Sequence, residues 1–212
     1  MIFDLDGTLL DTEPLYTQAA QTVMAPYGKT LDAALKRKIM GGDARRSAAT
    51  VIEELDLPMT VDEFLQSREA ILLQLFRSAP EINGAGDLVR SLARIAMPLG
   101  LATSSRSEWC NLKLQDREWA ECFNVKICGD DSRLKNLKPA PDIFLICAHD
   151  LQVDATACIA FEDSPNGIQS ALAAGMTVIA VDSPFVGRSD LADAALIVED
   201  LVEAQQLLPS WS

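Results

Sequence analysis

Histidine is almost missing from this chain: His149 is the single one in 212 residues. It falls in a helical pattern two residues before Leu151, where a structural role is expected, so Ser-His-Asp chemistry has little to stand on. Cysteine lacks pattern rather than number. Cys110, Cys122, Cys128, Cys147 and Cys158 form no CxxC spacing, which indicates neither a zinc site nor a disulfide framework. Such an odd, scattered set suits a reducing compartment, and Cys147 and Cys158, lying in apolar runs, are expected as buried thiols. Positive charge is short as well: 18 Lys and Arg face 31 Asp and Glu, a formal net charge of −13. That argues against nucleic acid as a partner, because such binding relies on cations neutralising backbone phosphates. A small phosphorylated metabolite, needing only a few local cations or a metal, stays open. No apolar run is long enough to span a bilayer and acids begin at Asp4, so neither a membrane segment nor a signal peptide is expected. The expected location is the cytoplasm, the expected state a monomer, with a homodimer as the alternative.

What remains is ordinary for a globular protein, with 49% apolar and 23% charged residues, and long enough for one domain or a domain with an insert. The texture changes along the chain. Residues 1 to about 12 read as a strand and an acidic turn. Residues 14–80 are helical in pattern: Thr60 and Glu63 form a capping box ahead of Phe64, Leu65, Ile71, Leu72, Leu75 and Phe76, and Pro58 separates that helix from an earlier one carrying Val51, Ile52 and Leu55. From residue 81 onward apolar strands alternate with helices. Strands are expected at 99–103, 125–128, 157–161, 178–181 and 195–198, and helices at 84–96, 107–116, 141–151 and 165–174. Strands apolar throughout and joined by helices predict an α/β fold with a parallel sheet covered on both faces. Ligands of such sheets bind beyond the carboxyl ends of the strands, so the residues that follow each strand matter most.

Met1-Ile2-Phe3 runs straight into Asp4-Leu5-Asp6-Gly7-Thr8. Side chains two apart on a strand point the same way, so a strand ending at Asp4 aims two carboxylates at one small volume. Like charges this close are costly to ionise together without a cation between them, and hard oxygen ligands suit Mg2+. A plain solvated turn is the competing reading. A calcium loop is not, because Leu9-Leu10 interrupts its ligand spacing. The second apolar strand ends in Thr103-Ser104-Ser105, hydroxyls and backbone donors suited either to an oxyanion or to capping a helix. Lys138 stands in Lys138-Pro139-Ala140-Pro141-Asp142, a loop that two prolines stiffen; it is either aimed inward at phosphate and carboxylates or solvated. After Ile159-Ala160-Phe161 come Glu162-Asp163-Ser164-Pro165-Asn166-Gly167, two more acids followed by an N-cap and a first-turn proline. Those acids either meet a cation or stabilise a helix dipole. Taken separately the structural readings predict no shared location. Phosphoryl transfer at one sheet edge places all four segments together.

These segments, over essentially the whole chain, resemble the haloacid dehalogenase superfamily of phosphotransferases. The helical stretch after the first motif resembles the cap of the subclass containing β-phosphoglucomutase, phosphoglycolate phosphatase and pseudouridine-5′-phosphatase. The resemblance implies a Rossmann-like core, at 1–13 and 81–212, with an inserted all-helical cap at 14–80, hinged near Leu10–Pro14 and Ala79–Gly84. It implies Asp4 as nucleophile, Asp6 as general acid and then base, and Mg2+ held by Asp4, Asp6 through its backbone carbonyl, and Asp163, with Glu162 and Asn166 just behind. Thr103, Ser104 and Lys138 would hold the phosphoryl oxygens. The expected activity is Mg2+-dependent hydrolysis of a small phosphomonoester, a sugar phosphate or nucleotide-like compound. The alternatives are a β-phosphoglucomutase-like phosphomutase and a non-catalytic binder on the same scaffold. In β-phosphoglucomutase a cap arginine shortly after a glycine holds a second phosphate. In Met40-Gly41-Gly42-Asp43-Ala44-Arg45-Arg46, Ala44 takes that place, which favours water as the acceptor. Lys36 and Lys38 do not suggest the Schiff-base lysine of phosphonate-cleaving members. Family members usually have a longer first strand, so the three residues before Asp4 lead us to expect a short one, from a trimmed start or late numbering.

Overall fold

The computed structural model describes residues 1–39 and 44–207. Six parallel strands, β1 (Ile2–Phe3), β2 (Gly100–Thr103), β3 (Val125–Cys128), β4 (Ile159–Glu162), β5 (Thr177–Val181) and β6 (Leu196–Val198), form one sheet in the order β3-β2-β1-β4-β5-β6. The order reverses between β1 and β4, the switch point where α/β sheets open a crevice at their carboxyl ends. β1 is two residues long and is flanked on both sides, Ile2 opposite Gly100 and Ala160, Phe3 opposite Leu101 and Phe161. Alternation sends its two side chains to opposite faces. Ile2 joins the core of Phe144, Cys147, Ile168 and Val178, while Phe3 stacks on Phe161 at 4.5 Å and meets the edge of Phe123. A central strand this short is held by its neighbours, and the ladder continues one residue further, the Asp4 N–H donating to the Phe161 carbonyl.

The connecting helices are α5 (Ala85–Arg94), α6 (Ser107–Leu114), α7 (Asp142–Asp150), α8 (Pro165–Ala173) and α9 (Leu201–Leu207); α7 packs on β1, β2 and β3, and α8 on β4 and β5. The expected strands and helices agree with these within two residues at each end, the ordinary fraying of boundaries; α9 is not among the expected helices. Cys147 and Cys158 are buried free thiols as expected, and His149 is exposed beside Asp150. The chain forms two compact units, residues 1–12 with 79–212, and residues 13–78. The second is helical: α1 (Glu13–Met24), α2 (Ala33–Ile39), α3 (Ala44–Leu55) and α4 (Val61–Leu75), around Ala20, Val23, Met24, Val51, Leu57 and Phe64. The Thr60–Glu63 capping box opens α4 in both directions. Within the first unit, the segment leaving β1 and the segment returning to α5 run antiparallel. Leu10 bridges Glu81, Asp11 N–H donates to the Pro80 carbonyl, and Ile82 N–H donates to the Leu9 carbonyl, both at 2.9 Å. No described helix is long and apolar enough to cross a membrane.

Candidate active site

At the carboxyl ends of β1 and β4 the structure brings Asp4, Glu162, Asp163 and Lys138 together. The Lys138 ammonium, 7% exposed, donates to Asp4 Oδ1 and Glu162 Oε1, both at 2.6 Å, and to the Ala102 carbonyl at 2.9 Å. The lysine is therefore aimed inward, across the ends of β2, β1 and β4. Its ammonium also lies 4.9 Å over the Phe144 ring, a favourable cation–π distance. Three carboxylates, Asp4, Glu162 and Asp163, have ligand oxygens within 4.8 Å of one another and could hold a metal ion.

Two acids in this group are ill at ease as anions. Burial first, and then the nearby Glu162 and Asp6 charges, push the Asp4 carboxyl up to about 7 against the pull of Lys138. Burial, Glu162 and Asp4 likewise raise Asp163 well above the usual carboxylate range. Burial works against the Lys138 charge, yet Asp4 and Glu162 hold it above its ordinary value. One ammonium does not balance three acids. Glu162 is already satisfied: its Oε2 accepts from the Asp163 and Ser164 N–H groups and from Ser164 Oγ, at 3.0–3.2 Å. It braces the turn into α8, where Ser164 caps the helix through the Gly167 N–H. The surplus negative charge suited to a cation thus rests on Asp4 and Asp163.

Two glycines make this close packing feasible. Gly7 has φ +86°, and a Cβ there would fall 2.0 Å from Asp163 Oδ2; a side chain would both strain the turn and push out the carboxylate. A Cβ on Gly167 would lie 1.8 Å from Glu162 Oε1. Thr8 Oγ1 reaches Asp163 Oδ1 at 3.3 Å, tying the first acidic turn to the second.

Asp6 turns elsewhere. Its carboxylate is not among the three clustered ones; it accepts from Lys113 Nζ at 2.5 Å, Thr12 Oγ1 at 2.7 Å and Ser105 Oγ at 2.7 Å. Enclosure alone would raise its pKa, but Lys113 with the two hydroxyls holds it below the usual range. Thr103 is buried, its Oγ1 accepting from the Ser105 N–H at 3.1 Å. Ser104 is exposed, and it is the Ser105 hydroxyl that turns to Asp6. Asn166 is exposed in the first turn of α8. Sequence reasoning missed Lys113 and Ser105. Ser105 stood visible in its Thr-Ser-Ser run, whereas Lys113 carried no signal beyond being a charged residue between Leu112 and Leu114.

Comparison with known proteins agrees with this architecture. The haloacid dehalogenase-like hydrolase family model matches residues 1–181. The chain belongs to that family. Among its relatives is a Drosophila melanogaster protein named "Probable pseudouridine-5'-phosphatase", 39% identical over 206 residues that cover 95% of this chain and 89% of that one. Another is (DL)-glycerol-3-phosphatase 2 of Arabidopsis thaliana, 36% identical and covering 96% and 87% of the two chains. Among solved structures, a Thermotoga maritima protein provisionally described as a beta-phosphoglucomutase superposes with a TM-score of 0.83 at 30% identity, over 98% of each chain.

Proposed function

We propose that this chain is a Mg2+-dependent phosphatase that hydrolyses a small phosphomonoester, a sugar phosphate or nucleotide-like compound, through an aspartyl-phosphate on Asp4. The observation that carries the reading is the convergence of Asp4, Glu162, Asp163 and one buried Lys138 ammonium at the sheet's switch point. Relatives named for phosphatases of a nucleotide and of glycerol phosphate support the same chemistry.

In this reading Asp4 attacks phosphorus, and the new P–O bond forms as the ester P–O bond breaks. Asp6 gives a proton to the departing alcohol oxygen and later takes one from the water that attacks the aspartyl-phosphate, so ester and water become alcohol and phosphate. The pull of Lys113 on Asp6 favours the second of these roles, the base. Lys138, with Thr103 and Ser104 at the end of β2, meets the charge of the phosphoryl oxygens. Asp4 and Asp163, with the Asp6 carbonyl, would hold Mg2+, which when bound neutralises the carboxylates and polarises the phosphoryl group. The residues fit such an ion, since raised carboxyl pKa values and an uncompensated negative charge are what a cation relieves.

This fit makes a prediction that needs no turnover. Mg2+ binds the ionised carboxylates and so competes with protons. Mg2+ is expected to raise the melting temperature strongly at pH 8 and little at pH 5.5, since Asp4 titrates at about 7. Equal shifts at both pH values would show that these carboxylates are not the ligands.

The phosphomutase alternative is disfavoured by Arg45, whose guanidinium pairs with Asp62 at 2.6 Å on the exposed side of α3 and α4. Met40 to Asp43, the preceding part of the compared stretch, lies outside the described residues. The deciding experiment is a panel of phosphomonoesters (glycerol 3-phosphate, pseudouridine 5′-phosphate, hexose phosphates) assayed for phosphate release with Mg2+. Release from at least one is expected. Conversion of glucose 1-phosphate to the 6-phosphate without release would make the chain a mutase, and Mg2+ binding without any turnover would make it a binder.

A further inference from the structure

We infer that Lys113 is a positioning residue for Asp6, fixing the carboxylate that exchanges protons with the leaving alcohol and with water. The inference rests on the phosphatase reading and adds to it the placement of the Asp6 carboxylate, a role that the reading assigns to no residue. Lys113 is completely buried, and its ammonium donates to Asp6 Oδ1 at 2.5 Å and to Ser105 Oγ at 2.9 Å. Ser105 Oγ in turn donates to the other Asp6 oxygen, Oδ2, at 2.7 Å. Ammonium, hydroxyl and carboxylate therefore close a ring that engages both carboxylate oxygens, and Thr12 Oγ1 adds a third donor to Oδ1 at 2.7 Å. The Asp χ2 torsion is broad when left to itself; here the ring sets the plane of the carboxylate.

The supply of these two donors is local. Ser105 lies in the turn after β2, and Lys113 lies on α6, which follows that turn. One short segment thus carries both arms of the clamp. Lysines are almost never fully buried unless paired, and a buried ion pair is often no more stabilising than apolar residues of the same volume. Lys138 already serves the Asp4 and Glu162 charges. What this second buried lysine supplies is the placement of Asp6.

A positioning role is separable from a structural one by the leaving group. An alkyl phosphate needs proton delivery as its alcohol departs. p-Nitrophenyl phosphate does not, because its phenolate leaves without a proton. The constant kcat/KM reads the steps up to that departure. Lys113→Met keeps the length of the stem and removes the ammonium. It is expected to lower kcat/KM for an alkyl phosphate about 100-fold, the low end of what proton transfer contributes, and to leave p-nitrophenyl phosphate nearly unchanged. Inhibition by inorganic phosphate should keep its constant. Lys113→Arg should restore part of the alkyl activity. Ser105→Ala should show the same asymmetry at smaller size, and it carries the test if Lys113→Met does not fold. Equal loss on both esters, or loss on neither, overturns the assignment while leaving the phosphatase reading intact. Wild-type protein that releases phosphate from neither ester sinks that reading and this assignment with it.

Discussion

Asp4→Asn is expected to abolish phosphate release, by a factor of about 10^4 or more as for other lost nucleophiles, and at the same time to stabilise the metal-free protein. The first half follows from the place of Asp4 in the proposed chemistry. An amide of the same shape cannot form the aspartyl-phosphate. The second half follows from electrostatics. Asp4 is 6% exposed and shares its volume with Glu162 and Asp163. Its folded pKa, about 7, is higher than that of an unfolded aspartate. A raised folded pKa gives stability that is present at acidic pH, below the unfolded value, and is lost as pH rises through about 7. At pH 8 the wild type therefore carries a charge it would rather not have, and Asn removes it. The gain is about 1 kcal/mol or more, which for a chain of this size is about 2–4 °C in melting temperature. It should shrink to nothing near pH 4 and disappear when Mg2+ is present. Thermal melts of the two proteins at pH 4.5 and pH 8 with chelator check this. An Asn variant that still turns over, or that is destabilised at pH 8 without metal, would remove Asp4 from the role assigned to it.

Lys138→Met is expected to have the opposite effect on stability and the same effect on turnover. It removes the only cation hydrogen-bonded to Asp4 and Glu162 among the described residues. Breaking a buried pair from one side costs about 3–5 kcal/mol because the partner charge stays behind, and this corresponds to a fall on the order of 10 °C. Three acids within 4.8 Å would then face one another unopposed. The loss should be greatest at pH 8 and smaller at pH 5.5, where Asp4 is protonated. Mg2+ should rescue more stability in this variant than in the wild type, since the ion replaces the missing charge. A small fall that does not depend on pH would mean that the ammonium is not what holds these carboxylates together.

Much of the site was legible because of one physical conflict. An acid at the end of an apolar strand is out of place unless something receives it. That conflict marked Asp4 and the Glu162–Asp163 pair from the sequence, and the prolines around Lys138 marked a lysine that could be aimed. The sheet was legible for a similar reason: strands buried on both sides carry no polar phase, and only helices can join them in parallel. What could not be read depends on three-dimensional bookkeeping. Lys113 sits on a helix with no turn, glycine or proline to announce that its side chain runs inward toward Asp6. The choice between Ser104 and Ser105 depends on which hydroxyl the turn rotates inward, and neighbouring serines look alike in sequence. That Glu162 Oε2 is engaged by the backbone of its own turn could not be read from two adjacent acids. The helical residues 13–78 stayed mute about substrate because amphipathic spacing reports which face is buried and says nothing about what a face recognises.

The antiparallel bridge between Leu10 and Glu81 has an evolutionary reading. The chain leaves the sheet-bearing unit and comes back through the same doorway, with hydrogen bonds across the threshold. Everything between is a parenthesis. A hairpin of about two to five residues would be long enough to close such a gap, and a longer insert adds little closure entropy, about 0.6 kcal/mol for each doubling in length. A lineage carrying this doorway can exchange, enlarge or shorten the enclosed passage without rewriting the strands whose ends carry Asp4 and Asp163 or the loop that carries Lys138.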